Sequence, residues 1–284
     1  MKHISRRLFL YTSFLGLSTA KRLPAMAQDD AARPLGQPPG CQIYGVRKQL
    51  AEDFDKTLKV LFAAGYRLLE FCSPPGYAND LAPLVSMSAK TMRQKIDDAG
   101  LRVVSCHYQF DELKENGDER IAFAKELGLE HMIVASVGRP KSLDAWLKTA
   151  DELNQLGEKV QKAGMQLGFH NHTQEFETMD GKLVFDELMK RIDPKLANFQ
   201  FHLTSPSSGF KPIDILTKYH GRFLSLHIMD WAASGNDRAP VGQGLIDWKK
   251  LFAAAKQSNV KYYFVEMDMD ALKASGAYLC SLKV

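Results

Sequence analysis

The sequence predicts an α/β fold, a parallel (β/α)8 barrel that forms a single domain, and three observations lead to this prediction. Eight short apolar runs recur along the chain, and helical stretches separate all of them. Four helical stretches end in glycine shortly before the next apolar run, at Gly65, Gly100, Gly128 and Gly164. Glycine after a helix supplies a left-handed cap, and apolar runs of this length suit strands that are buried on both faces. Eight strand–helix units in about 250 residues match such a barrel.

The individual elements follow from these patterns. In the helical stretch before Gly65, the spacing predicts that Phe54, Leu58, Leu61 and Phe62 lie on one buried face. A doubly wound open sheet is the alternative fold, but the chain contains neither G-x-G-x-x-G nor G-x-x-x-x-G-K-[ST]. The predicted strands are 41–46, 67–71, 102–107, 131–137, 166–172, 197–203, 223–228 and 262–266, and the last helix is predicted at about 269–282.

The segment before the barrel predicts export. Residues 1–27 resemble a twin-arginine-type signal, with "SRRLFL" at 5–10, an apolar run at 8–17 and "AMA" at 25–27. The apolar run is shorter than the roughly 20 residues that a membrane-spanning helix needs. An uncleaved anchor or a basic tail is the alternative. Residues 28–40 are rich in Pro and Gly and predict a linker, so the barrel occupies 41–284. We expect a bacterial protein that is exported to the periplasm.

Charge and cysteine content exclude several classes of protein. The net charge is +4, and residues 1–27 carry five basic and no acidic side chains, so the remainder sums to −1. A near-neutral body has no basic surface for nucleic acid, and we expect no stable membrane insertion after the signal is removed. Four cysteines without a C-x-x-C pair argue against a zinc ribbon. Cys72 and Cys106 occupy comparable points on neighbouring strands and could be close, although buried thiols are the default expectation.

Polar residues that end the predicted strands indicate a functional site. In a barrel of this kind the active site lies at the C-terminal ends of the strands. Carboxylates occupy such positions at Glu70, Asp230, Glu266 and Asp268. Five of the eight histidines do so as well, whereas randomly distributed surface histidines would scatter: His107, His170, His172, His202 and His227.

The stretch "GFHNH" suggests that several of these side chains converge on an ion. Strand alternation puts His170 and His172 on one face and Asn171 on the other. With His202, His227 and Glu266 from adjacent strands, they form a nitrogen and carboxylate set that suits Zn²⁺, Mn²⁺ or Fe²⁺. Such an ion could polarise a sugar carbonyl while a carboxylate moves the proton.

Less specific interpretations remain open for these residues. A single histidine at a strand end is often a hydrogen-bonded core residue. Glu70 could be a structural charge paired with an arginine, and Glu175 could be a solvated loop residue. The glycine-rich loop "VGQG" at 241–244 could hold an anion with its backbone amides, but it lacks the flanking residues of a nucleotide site.

Four stretches carry a resemblance to a known family: "CQIYGVRKQLAEDFDKTLKVLFAAGYRLLEF", "GFHNHTQEF", "KYHGRFLSLHIMD" and "VGQGLIDWKKLFAAAKQSNVKYYFVEMD". The chain resembles the sugar phosphate isomerase/epimerase family of xylose-isomerase-like TIM barrels over everything after the linker. The resemblance implies a divalent metal, often Mn²⁺, held by residues that end strands five to eight. His227 and Glu266 match ligand positions, and the fifth-strand ligand is His170, His172 or, less readily, Glu175.

The sixth strand departs from the family pattern. His202 stands where relatives commonly carry an aspartate, and Gln200 also replaces a common acid. Because imidazole contributes no negative charge, the site would resemble a histidine-rich Zn²⁺ or Fe²⁺ site or would bind no metal. If His202 does not ligate, it could act as the base near neutral pH.

The resemblance implies a sugar isomerase or epimerase that acts on a small sugar or keto-sugar by metal-assisted proton abstraction next to a carbonyl. The alternatives are a lyase that cleaves 3-keto-glycosides by elimination and a non-catalytic sugar-binding barrel that has lost its metal. Self-association into an oligomer is compatible with each of these. The candidate residues are Glu266, His202 and Glu70 for catalysis; His107, Asn171, Glu175 and Asp230 for substrate binding; and His170, His172, His202, His227 and Glu266 for the metal.

Overall fold

Eight parallel strands close into a barrel in which every strand pairs with its neighbours in sequence, and the eighth pairs with the first. The computed structural model describes residues 32–203 and 209–284, so the predicted export signal lies outside the described residues. The (β/α)8 barrel predicted from the sequence is confirmed. The strands are β1 (Gly40–Gln42), β2 (Leu68–Cys72), β3 (Arg102–Gln109), β4 (His131–Ser136), β5 (Gln166–His170), β6 (Ala197–His202), β7 (Phe223–Ile228) and β8 (Tyr262–Val265).

Ten helices follow or precede these strands in the described ranges. Helix α6 shows why they form where they do: the Ser142 side chain accepts a hydrogen bond from the Ala145 amide and caps the first turn. The four predicted capping glycines all have positive φ, between 79° and 98°. The helices are α1 (Arg47–Glu52), α2 (Phe54–Ala63), α3 (Ala78–Val85), α4 (Ala89–Asp98), α5 (Phe110–Leu127), α6 (Leu143–Lys162), α7 (Val184–Arg191), α8 (Pro212–Lys218), α9 (Trp248–Gln257) and α10 (Met269–Ser281).

Two local predictions outside the histidine cluster are wrong. The first strand ends at Gln42 rather than at residue 46, because the Gln42 side chain accepts a hydrogen bond from the Tyr44 amide and turns Ile43–Val46 into a 3-10 helix. In α2 the side chain of Phe62 is exposed instead of buried. Its ring instead lies under the Arg67 guanidinium, 3.7 Å from the ring centroid. Thr57 takes its place on the buried face.

The main core lies between the strands and the surrounding helices, and a second apolar cluster fills the barrel itself. On β8, Tyr262 is in register with Ser225 of β7 and Phe264 with His227, so these side chains point to the same side of the sheet. Leu68 and Val104 complete this inner cluster. Polar side chains lie above it towards the C-terminal ends of the strands, so the interior changes from apolar to polar along the barrel axis.

The cysteines do not form a disulfide. Cys72 is in register with His107 on the next strand, whereas Cys106 is in register with Phe71, so the two thiols point to opposite faces of the sheet. All four cysteines of the chain are free, including Cys41 and Cys280. The possible proximity of Cys72 and Cys106 therefore does not lead to a bond.

The described part of the predicted linker contacts the barrel. Pro34 is buried, the Gln37 carbonyl accepts a hydrogen bond from the Tyr263 hydroxyl, and the Ala32 carbonyl accepts one from the Val284 amide. Across residues 32–203 and 209–284, no helix combines the length and the apolar character needed to cross a membrane.

Candidate active site

A cavity of about 540 Å³ opens at the C-terminal ends of the strands. Side chains from the fifth, sixth and eighth strands reach it, among them His170, His202 and Glu266. Residues from the segments that connect the barrel strands and helices complete the wall, including Tyr44, Tyr77 and Arg238. The volume lies within the range of pockets that bind small molecules, and its position is the one expected for a barrel active site.

All five strand-end histidines meet at the floor of this cavity. The His170 ring lies at the centre, with its centroid 4.8–5.0 Å from the centroids of the other four rings: His107, His172, His202 and His227. Only His172 belongs to a loop, because β5 ends at His170 rather than at residue 172 as predicted. The five histidines thus lie together, although His172 follows its strand and β3 continues to Gln109 beyond His107.

Three of the histidines could hold a metal ion. One ring nitrogen from each of His170, His202 and His227 lies within 4.8 Å of the others, and His202 Nδ1 is 3.2 Å from His227 Nδ1. Two nitrogens that bind one Zn²⁺ at about 2.0–2.1 Å can be at most about 4.2 Å apart, so the pair fits this limit. Glu266 Oε2 is 3.3 Å from His227 Nδ1, so this carboxylate could bind the same ion as the three histidines.

The donor set differs from an all-oxygen site. Three imidazoles and one carboxylate are ligands that suit Zn²⁺ or Fe²⁺. His172, which lines the cavity, has an Nδ1 that is buried and has no hydrogen-bond partner. The residues therefore fit a divalent ion.

Burial keeps the metal-capable histidines neutral. It lowers the pKa of His202 to about 3, with Arg238 and the neighbouring histidines acting in the same direction. Burial, followed by repulsion among the histidines, also lowers the pKa of His170 and His227 well below the usual value of 6.5. Neutral imidazole is the form that binds metals.

Glu266 and His107 shift in the opposite direction. Burial raises the pKa of Glu266, and its side chain remains 17% exposed at the cavity wall. For His107, burial alone would lower the pKa, but the Glu70 carboxylate 3.0 Å from its Nε2 raises it above the usual value. A carboxylate with a raised pKa that reaches the cavity is suited to accept and return a proton.

Glu70 and Gln200 form the base of the site below the histidines. Both are fully buried, and neither belongs to the cavity wall. Glu70 was predicted to be catalytic, but a side chain with no access to the cavity cannot touch a substrate there. Glu70 instead contacts His107 and His227. It is therefore placed as a buried structural charge, but its partners are imidazoles and not the arginine that the sequence suggested.

Asn171 and Glu175, predicted to bind substrate, hold the chain that carries the histidines. Asn171 Oδ1 accepts a hydrogen bond from the His202 amide at 3.0 Å, and its Nδ2 donates to the His202 carbonyl at 3.2 Å. Glu175 is fully buried and accepts a hydrogen bond from the His172 amide at 2.7 Å. Both side chains use their polar atoms within the protein, so neither is the solvated or ligand-facing residue expected from the sequence.

Asp230 is also a structural residue. Its buried carboxylate accepts hydrogen bonds from the amides of Trp231, Gly242 and Ile246 and from Trp248 Nε1, at 2.7–3.1 Å. A Cβ at Gly244 would lie 2.3 Å from Asp230 Oδ1, which explains the glycine there. The "VGQG" loop thus contributes one amide, that of Gly242, to an anion, and that anion is the protein's own carboxylate.

Sequence reasoning missed Arg238 and the role of Gln200. Arg238 lies on a short hairpin formed by Asp230–Trp231 and Arg238–Ala239, and it reaches the cavity. The hairpin contains no apolar run, so the strand pattern that located the other site residues does not identify Arg238. Gln200 departs from the pattern that the family resemblance implies, but nothing in the sequence indicated that its side-chain oxygen contacts His107 and His170 at once, at 2.7 Å each.

Comparisons with known proteins agree with this description. A family profile described as xylose isomerase-like TIM barrel matches residues 58–279. An inosose dehydratase of Lacticaseibacillus casei is 24% identical over 265 residues, covering 78% of this chain and 84% of that protein. An inosose dehydratase of Bacillus cereus is 28% identical over 153 residues, covering 46% of this chain and half of that protein.

Solved structures show the same fold. A sugar phosphate isomerase/epimerase from Parabacteroides distasonis superposes with a TM-score of 0.76 at 23% identity, covering 91% of this chain and 98% of its own. A D-psicose 3-epimerase from Clostridium cellulolyticum, solved with D-tagatose, has a TM-score of 0.61 at 10% identity, covering 84% of this chain and 90% of its own.

Proposed function

Because the chain belongs to the xylose isomerase-like TIM barrel family, we propose that it is a sugar-modifying enzyme that removes the proton next to the carbonyl of a small keto-sugar. The observation that carries this proposal is the position of Glu266. Its carboxylate lines the cavity and lies 3.3 Å from His227 Nδ1, one of three converging histidine nitrogens. Isomerisation or epimerisation is the outcome that we place first.

Glu266 is the proposed base. A carbonyl compound bound in the cavity would expose the hydrogen on its neighbouring carbon to this carboxylate, which accepts the proton and can return it to an adjacent carbon. The pKa of Glu266 is raised, so it lies closer to neutral pH than that of an ordinary glutamate. This favours both the uptake and the return of the proton. A divalent ion held by His170, His202 and His227 would supply electrophilic stabilisation of the developing oxyanion when bound.

The surrounding residues would orient the sugar. Tyr44 and Tyr77 form one wall, with ring centroids 5.9 Å apart in an edge-to-face contact. Arg47 is fixed by Asp80 at 2.6 Å and lies over the Tyr44 ring at 3.8 Å, so this wall is rigid. Rigid aromatic and polar groups can hold a sugar in one pose.

A dehydratase is the second candidate, and the relatives named inosose dehydratase favour it. Loss of water from a keto-sugar begins with the same proton removal and then requires a donor for the departing hydroxyl. Glu266 holds the removed proton at the cavity wall, and its raised pKa allows it to deliver that proton to the departing hydroxyl. Elimination from a 3-keto-glycoside would use the same group.

Turnover of a keto-sugar panel in D2O tests the proposal. Incubation of the metal-loaded protein with ketohexoses, ketopentoses, inososes and 3-keto-glucosides should incorporate deuterium next to the carbonyl of at least one compound. An isomer or epimer supports the first candidate, and a product lighter by one water, or lacking its aglycone, supports the second. Binding without any deuterium incorporation would favour a non-catalytic sugar-binding barrel and overturn the proposal.

We further propose that the protein is exported to the bacterial periplasm, supported by the twin-arginine pattern at residues 5–10. Replacing both Arg6 and Arg7 by lysine should keep the protein in the cytoplasm. Unchanged export of the double variant would contradict this assignment.

A further inference from the structure

Glu70 is a fully buried carboxylate whose two oxygens have different neighbours. Oε2 accepts two hydrogen bonds, from Ser105 Oγ at 2.7 Å and from Gln200 Nε2 at 2.6 Å. Both partners are donors in this arrangement, so Oε2 must be an acceptor. These contacts fix which way the carboxylate faces.

The other oxygen, Oε1, faces two imidazole nitrogens. His107 Nε2 is 3.0 Å away and His227 Nε2 is 3.5 Å away. Glu70 Oε1 and His227 Nε2 are both buried, and neither has another hydrogen-bond partner. Buried polar atoms are normally paired, and a carboxylate oxygen only accepts. The arrangement is satisfied when His227 carries its proton on Nε2, which leaves a lone pair on Nδ1.

Gln200 imposes the same kind of choice on His170. Its Nε2 donates to Glu70 and, at 3.0 Å, to Ser225 Oγ. Its Oε1 is then the acceptor for His107 Nε2 and His170 Nδ1, each at 2.7 Å. His170 therefore carries its proton on Nδ1, and its Nε2 keeps a lone pair.

We propose that Glu70 and Gln200 are positioning residues that fix the tautomers of His227 and His170, so that His227 Nδ1 and His170 Nε2 present lone pairs to the site. This inference rests on the proposed function, because a cation or a proton in the site would be received by those lone pairs. Carboxylates and carbonyls behind metal-binding histidines have this effect in general. Neither Glu70 nor Gln200 needs access to the cavity for it.

The contacts of Glu70 predict a specific result for Glu70→Gln. The new amide must still accept from Ser105 and Gln200, so its oxygen takes the Oε2 position and its NH2 group takes the Oε1 position. A donor then faces His227 Nε2 where an acceptor stood. The His227 proton should move from Nε2 to Nδ1, towards His202 Nδ1 at 3.2 Å.

Nitrogen NMR of the full-length, metal-free protein measures this directly. Long-range proton–nitrogen spectra of histidine-labelled protein, slightly above neutral pH, distinguish the two neutral tautomers, and His227→Gln assigns the signal. We expect the Nε2–H form of His227 in the wild type and in Ser105→Ala, and the Nδ1–H form in Glu70→Gln. Zn²⁺ affinity, measured by chelator competition, should fall about 10–100-fold in Glu70→Gln.

A wild type in which His227 carries its proton on Nδ1 would overturn the inference, as would a folded Glu70→Gln variant with the wild-type tautomer. The wild-type tautomer is read without Glu70→Gln, so the test survives if that variant fails to fold. The tautomer is read without turnover. A protein with the predicted tautomers but no deuterium incorporation would contradict the proposed function alone, and active protein with the opposite tautomers would contradict this inference alone.

Discussion

His202 Nδ1 lies 3.2 Å from His227 Nδ1, across the ends of two neighbouring barrel strands. Two neutral ring nitrogens at this distance share one proton or one ion. His202 also stands where the family resemblance implies an aspartate, so this contact is where the site would differ from that pattern. We therefore expect a preference for ions that bind nitrogen.

Replacing His202 by aspartate should change the metal preference. The wild type should bind Zn²⁺ more tightly than Mn²⁺, because imidazoles dominate the donor set, and a carboxylate should favour Mn²⁺. We expect the Zn²⁺-to-Mn²⁺ affinity ratio, measured by competition titration, to fall about tenfold or more in His202→Asp. His220→Asp, at an exposed histidine outside the site, is the matched control. An unchanged ratio would mean that His202 is not a ligand.

The folded protein should lose stability as the pH falls below about 6.5. The pKa values of His170, His202 and His227 are lowered by burial, and that of His131 is lowered to about 4. Below 6.5 the unfolded chain takes up protons that the folded chain does not, so the free energy of unfolding decreases by up to about 1.4 kcal/mol per pH unit for each such histidine.

His107 and Glu266 oppose this trend, because the pKa of each is raised in the folded protein. The folded chain then keeps protons that the unfolded chain has lost, so their effect is to decrease the free energy of unfolding as the pH rises through the folded pKa. Thermal unfolding of metal-free protein between neutral and mildly acidic pH measures the sum. A melting temperature that rises on acidification over this range would contradict the assignment of neutral buried histidines.

Asp230→Ala should destabilise the fold more than it affects sugar binding. The substitution leaves four donors without their carboxylate, two of them buried (the Trp231 amide and Trp248 Nε1), so we expect a loss of about 3–5 kcal/mol in the free energy of unfolding. Asp247→Ala is the control: it removes an exposed aspartate that caps α9 and should cost about 1 kcal/mol. Chemical denaturation compares the two. A stable Asp230→Ala protein with selectively weakened sugar binding would restore the substrate-binding interpretation.

Thiol titration should find four free cysteines in the unfolded protein, with or without prior reduction. In the native protein only Cys280 is exposed, and burial raises the pKa of the thiols of Cys41, Cys72 and Cys106. One thiol should therefore react rapidly under native conditions and three slowly. Only two reactive thiols after unfolding without reductant would reveal a disulfide.

The sequence was sufficient to predict the fold and the histidine cluster, because both depend on local pattern. The apolar runs and capping glycines specify the strands, and a polar residue after a buried run must lie at the barrel mouth. The roles of Glu70, Asp230 and Glu175 could not be predicted in this way. Each depends on which distant atoms meet its carboxylate, such as the Ile246 amide for Asp230 and the His227 ring for Glu70. Local pattern shows that a carboxylate is buried but not whether it faces a cavity or a neighbour.

The most direct test of the central claim is deuterium incorporation into a turned-over keto-sugar by wild-type protein and by Glu266→Gln, with equal metal loading established for both. If Glu266 is the base, exchange next to the carbonyl should fall by about 10²–10⁴-fold in the variant while sugar binding persists. Glu177→Gln, at an exposed carboxylate of the neighbouring surface, should exchange as the wild type does. Exchange in Glu266→Gln at the wild-type rate would show that another group removes the proton and would contradict the proposed mechanism.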